Sequence, residues 1–188
     1  MDVDFALFVA VGFVAQLIDG AIGMGYGVIA TSVLVATGMP PALASAAVHV
    51  TKIPTGIASG LSHWKFGNVD WALCRKLILP GVIGGIIGAS AISLMPLQLI
   101  RPLAAFYLGF MGILVVLRAV RWRGPREAVV AKRRRPGVIG LLGGLFDSFG
   151  GGWGPIVTTS LIMQQHEPRM AVGPANTAEP GVAAIQAG

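Results

Sequence analysis

The stretch "IDGAIGMGYG", Ile18 to Gly27, puts an aspartate and four glycines inside the first long apolar run of the chain, Phe5 to Ala36. In a helix interior each glycine costs about 1 kcal/mol relative to alanine. A carboxylate at bilayer depth costs at least roughly 2.5–3.5 kcal/mol. Neither belongs in a plain spanning helix, so the pattern reads as a deliberate break in the backbone. A related stretch, "FDSFGGGWGP", occupies Phe146 to Pro155.

The surrounding composition identifies the solvent. Apolar residues make up 54% of the 188 and charged residues 12%, against about 25% charged in an average soluble domain. Mean hydropathy is +0.75. Too little polar surface remains to cover a water-soluble globule, and the apolar runs approach the length of about 20 residues that crosses a bilayer as helix. The expected fold is all-α: a polytopic helical membrane protein with internal repeats and glycine-broken helices or hairpins, multi-pass in the cell (inner or plasma) membrane. The start, "MDVD", is acidic where a secretory signal is basic. The first apolar run is therefore expected to remain in the mature protein. One cysteine, Cys74, excludes an internal disulfide and a cysteine metal cluster. No cofactor, metal or catalytic constellation is expected.

The formal net charge of +6 does not point to nucleic acid. Arg118, Arg121, Arg123, Arg126, Lys132, Arg133, Arg134 and Arg135 supply eight of the fourteen basic residues. A short basic connection between apolar spans is what the positive-inside rule expects on the cytoplasmic side. The run is read as a topology signal, with additional binding to anionic lipid headgroups as the lesser alternative; membrane lipid is an expected partner of the chain.

Along the chain, Phe5 to Ala36 as one straight helix would be about 48 Å long against a hydrocarbon core of about 30 Å. Two half-helices meeting at the glycines are expected, as a broken span or as a returning hairpin. Pro41 to Leu61, Leu77 to Met95 and Leu97 to Leu117 are the next segments. Trp64 and Trp71 suit the membrane interface. Gly81 and Gly85, with Gly84 and Gly88, form overlapping GxxxG pairs for close helix packing. With the basic connection inside, a hairpin puts the N-terminus outside and inverts the repeats described next, whereas a broken span puts it inside and makes them parallel. Labelling single cysteines at positions 2 and 128, after replacing Cys74, decides this. Protection at position 2 excludes the hairpin, and external labelling at 128 overturns the whole assignment.

After the basic run the chain restarts. Gly140 lies 128 positions after Gly12, and the same shift pairs Asp19 with Asp147, Gly23 with Gly151, Thr31–Ser32 with Thr159–Ser160, and Pro40 with Pro168. No gap is needed. Such internal repeats are common in secondary transporters. The organisation read from this is a first repeat over 1–118, a basic cytoplasmic loop over 119–136 and a second repeat over 137–188. The second is shorter than the first and is expected to be incomplete.

Glycine permits sharp turns and close backbone approach. The helix that restarts after a break offers unpaired N–H groups and partial positive charge, which suit an anion. Gly23, Gly25, Gly151 and Gly152 are therefore candidate substrate contacts; the plainer alternative is close helix packing. Asp19 and Asp147 would repel an anion, so coupling or structural roles suit them better: capping local donors or taking up a proton. No Gly-Lys-Ser/Thr follows the glycines, which argues against a phosphate-binding loop of the Walker type.

Ser45, His49, Lys52, Gly56, Ser59 and His63 follow spacings of 4, 3, 4, 3 and 4, which align them on one helical face. Lys52 falls near mid-span, where an ionisable side chain is a functional candidate by default. His49 joins it as a substrate-binding candidate. Glu179 in the second copy is a coupling or structural candidate, open to an ion pair with Lys52.

The chain resembles the sulfite exporter family, TauE/SafE, of bacterial membrane anion transporters. The residues that carry the resemblance are "GFVAQLIDGAIGMGYGVIATSVL" from Gly12, "SGLSHWKFGNVDW" from Ser59, "GGIIGA" from Gly84 and "GLLGGLFDSFGGGWGPIVTTSL" from Gly140. The resemblance implies export of a small inorganic or organosulfur anion such as sulfite or a sulfonate, with no enzymatic step. The alternatives are a truncated, non-transporting membrane protein that needs a partner, either a second copy or missing C-terminal spans, and an intramembrane enzyme.

Overall fold

The computed structural model describes residues 2–121, 135–164 and 167–188. Most of the basic run, 122–134, lies outside the described residues, so the cytoplasmic placement read from it has no structural counterpart. The described residues form helices joined by short turns, with no strand among them. They form α1 (Asp2–Ile22), α2 (Tyr26–Ala36), α3 (Pro41–Lys65), α4 (Trp71–Leu94), α5 (Leu97–Arg121) and α6 (Pro136–Asp147). A π-helical turn, Gly154–Thr158, then runs into the short α7 (Thr159–Met163), and α8 (Pro168–Gln186) completes the set.

Local sequence explains the boundaries. α3, α6 and α8 each begin on a proline, whose missing N–H would have been unpaired there in any case. Asp70 caps α4 by accepting from the backbone N–H groups of Ala72 and Leu73 at 2.9 and 3.0 Å. Pro174 and Pro180 do not interrupt α8. The Pro180 ring lies against Gly56 of α3, where an added Cβ would sit 2.7 Å from it.

The first run differs from the two half-helices expected of it. α1 has 21 residues, about 31 Å of helix, and only α2, with 11 residues, is short. Gly20 is accommodated inside α1, and the chain turns at Gly23 and Gly25, whose φ values are +74° and +127°. In the second copy the helix stops at Asp147, and Gly150 and Gly151 take φ values of +108° and +136°.

Packing is organised by glycine. α6 lies along α4 with backbone against backbone. A Cβ on Gly84 would strike the carbonyl of Leu141, and one on Gly144 the carbonyl of Gly81. α8 packs against both α3 and α4. Trp153 is fully buried against α4 and α8, with Leu77, Val157, Ala175 and Val182. Its indole N–H donates to the Ala175 carbonyl at 2.9 Å, so its polar atom is satisfied where no water reaches. Trp71–Leu94 and Leu97–Leu117 are each long and apolar enough to cross a membrane. Their outward side chains, Ile83, Ile87, Phe106 and Phe110 among them, are exposed, as a lipid-facing surface requires.

Candidate functional site: two glycine breaks around a buried lysine

The two breaks cross. A Cβ on Gly27 would lie 2.7 Å from the Cα of Gly151 and 3.2 Å from the Lys52 ammonium. Glycine on both chains is what lets the backbones meet with Lys52 beside them. Asp19, Gly23, Gly25, Gly27, Lys52, Gly151, Gly154, Pro155 and Glu179 line one narrow cleft at this crossing. A neighbouring recess is walled by Gln16, Tyr26, Thr55, Ser59 and Asn176, and shares Asp19, Lys52 and Glu179 with it.

Lys52 is a central charge with partners on two sides. Its Nζ is 3.0 Å from Asp147 Oδ1 and 2.8 Å from Glu179 Oε1. The ion pair with Glu179, left open by the sequence, is thus made across α3 and α8. The contact with Asp147 was not foreseen. The available signal was charge balance: Lys52 and Asp147 both sit in apolar segments, and each needs a partner there.

Asp147 is fully buried and has no idle oxygen. Oδ1 accepts from Lys52 and from the backbone N–H of Trp153 at 2.9 Å. Oδ2 faces His49 Nε2 at 3.0 Å. Asp19 plays a lighter version of the same part, accepting from the backbone N–H of Tyr26 at 3.2 Å. Each aspartate therefore holds the first residue of the chain beyond its own break. Ser45 also ties the second break to α3, donating to the Ser148 carbonyl at 2.6 Å.

Of the residues expected to meet a substrate, Lys52, Gly23, Gly25 and Gly151 share the cleft wall. His49 does not; it reaches Lys52 only through Asp147. Gly152 is turned toward α5, where an added Cβ would strike the Tyr107 hydroxyl. Gly27 and Gly154 belong to the wall but were not singled out from sequence. Ser59 accepts from the Asn176 side chain at 2.9 Å, and this bond, like the Lys52–Glu179 pair, joins the polar faces of α3 and α8.

An all-helical chain with lipid-suited flanks and two crossing glycine breaks around buried charges defines a membrane protein of the broken-helix class. The family model described as Sulfite exporter TauE/SafE matches residues 8–187, and the chain belongs to that family. It is 39% identical over 182 residues to the probable membrane transporter protein YtnM of Bacillus subtilis (strain 168). The match covers 94% of this chain and 61% of that relative, so the chain spans about three fifths of the relative's length. No solved structure matches it.

Proposed function

We propose that this chain forms the substrate-binding part of a multi-pass cell-membrane secondary transporter for small oxyanions such as sulfite or sulfonates, with no enzymatic step. The observation that carries this is the crossing of the two breaks at Gly27 and Gly151 against the Lys52 ammonium. A small anion leaving water needs its hydration replaced. A buried ammonium is little screened by salt, and the restarting helix adds donors and partial positive charge. Family membership and the printed name of the relative support transport as the activity.

The charges also set how an anion would enter. Lys52 is already held by Asp147 and Glu179. Asp147 has further donors in His49 and Trp153, so Glu179 is the partner more easily exchanged. The anion then takes Lys52 over from Glu179, and α3 loses that tie to α8. Lys52→Met is expected to abolish sulfite and methanesulfonate flux in proteoliposomes of the full-length protein. Lys52→Arg should retain part of it, since the charge survives but the planar head fits poorly in a site shaped for an ammonium. Lys52→Met with Glu179→Gln removes one charge of each sign and keeps a folded control within reach. Wild-type flux from a well-inserted Lys52→Met protein rejects Lys52 as the anion ligand.

A second reading, in which the chain works only beside further helices, is favoured by α1. Its Phe5, Val9, Phe13 and Leu17 are exposed, whereas its repeat counterpart α6 is packed along α4. Anion flux from the 188-residue chain alone would overturn that reading.

A further inference from the structure

The hydrogen bonds around His49 contain one proton more than a neutral histidine and a carboxylate can supply. Ser45 Oγ donates to the Ser148 carbonyl at 2.6 Å. Its single proton is thereby used, so toward His49 Nδ1, 3.2 Å away, it can only accept. Nδ1 also faces the Ser45 carbonyl at 2.7 Å, and a carbonyl only accepts. Nδ1 therefore carries a hydrogen. On the other side of the ring, Nε2 faces Asp147 Oδ2 at 3.0 Å. A carboxylate is acceptor-only, so this contact needs a hydrogen as well. Asp147 Oδ1 meanwhile accepts from Lys52 and from the Trp153 N–H. Both donors favour the ionised carboxylate, which leaves the extra proton on His49.

We propose that His49 and Asp147 form a proton-binding site in the membrane interior, holding His49 as an imidazolium, and that this proton binds cooperatively with the transported anion. The cooperative part rests on the anion reading above; the proton site does not. The titratable and charged groups gathered around the pair are Lys52 on α3, Glu179 on α8, Asp19 on α1 and Tyr107 on α5. With His49 charged, two cations stand against the carboxylates of Asp19, Asp147 and Glu179. Loss of the Nε2 proton to water leaves one cation, and the Nε2 lone pair then faces Oδ2. The cleft becomes more negative by one charge and the His49 tie between α3 and the second break is lost. Both changes oppose an anion at Lys52. By linkage, the anion must in turn tighten the hold on the proton.

The first test needs no substrate. The chain has three histidines, so His63→Gln with His166→Gln leaves His49 alone for nitrogen-15 NMR of the 188-residue protein in lipid nanodiscs. At neutral pH both ring nitrogens should show attached protons. An Nε2 without a proton would overturn the site. The second test measures methanesulfonate binding as a function of pH on the full-length protein. This anion keeps its single charge across the range, so any pH dependence belongs to the protein. Affinity should fall about tenfold or more as His49 deprotonates, within the usual range of such couplings. The fall should be absent in His49→Gln, whose amide can still donate to Asp147. A pH dependence unchanged in His49→Gln would overturn the coupling. A doubly protonated His49 with no methanesulfonate binding would uphold the proton site and overturn the anion reading.

Discussion

Asp147→Ala should be among the most destabilising single side-chain truncations in this protein, and far worse than the same change at its repeat partner Asp19. Asp147 answers the Lys52 ammonium, the His49 ring and a backbone N–H. Removing it leaves Lys52 with Glu179 only, His49 Nε2 with no acceptor, and the buried Trp153 N–H unpaired. Breaking a buried pair by removing one partner costs about 3–5 kcal/mol. Asp19 accepts a single backbone hydrogen bond at 3.2 Å, and loss of one hydrogen bond to a charged group costs about 1.5–3 kcal/mol. Asp147→Asn should fall between the two, because an amide oxygen can still accept from Trp153 while the charge is gone. Thermal melts of the detergent-solubilised variants rank all three. Equal losses at Asp19 and Asp147 would show that the charge cluster contributes nothing beyond one backbone hydrogen bond.

That asymmetry was out of reach of the sequence, and the reason is physical. The repeat makes Asp19 and Asp147 equivalent in one dimension. Their difference comes from where α3 lies, since its His49 and Lys52 both turn toward the second break. Helical spacing already aligned Ser45, His49, Lys52 and Gly56 on one face, and all four are buried. Spacing says nothing of the register of α8 across α3, which decides whether Glu179 meets Lys52. The glycine breaks were legible because glycine and aspartate are out of place in an apolar run. The length of α1 was not, because one glycine inside a helix costs only about 1 kcal/mol and neighbouring apolar residues carry the helix through it. Gly84 and Gly88 were legible as a packing surface. That their partner is α6, whose Gly140 and Gly144 approach α4 from the other side, depends on tertiary structure that no local pattern contains. The same limit hid Gly27, which has an ordinary helical neighbourhood and matters only because Gly151 lies against it.

The largest effect of all is expected at that crossing. Gly151 has φ +136°, and a Cβ there would strike the Val28 nitrogen and the Gly27 carbonyl carbon. The backbone conformation alone costs a side-chain-bearing residue about 1–3 kcal/mol. The clash adds to this and has no cheap relief, because the atoms struck are backbone rather than the flexible end of a side chain. Gly151→Val should therefore separate the two breaks, draw Gly27 away from Lys52, and abolish both a well-behaved folded species and anion flux. Gly151→Ala should show the same defect in weaker form. Gly109 and Gly112 on α5 serve as matched controls, since an added Cβ at either meets nothing within 4 Å. Replacing a helical glycine by alanine is favourable by about 1 kcal/mol when space allows, so Gly109→Ala and Gly112→Ala should melt no lower than the parent. Size-exclusion profiles and melting temperatures in detergent, followed by flux in proteoliposomes of the full-length protein, test the whole set. A Gly151→Val protein that elutes and melts like the parent would mean that the breaks do not touch. The anion site drawn around Lys52 would then lose its backbone half.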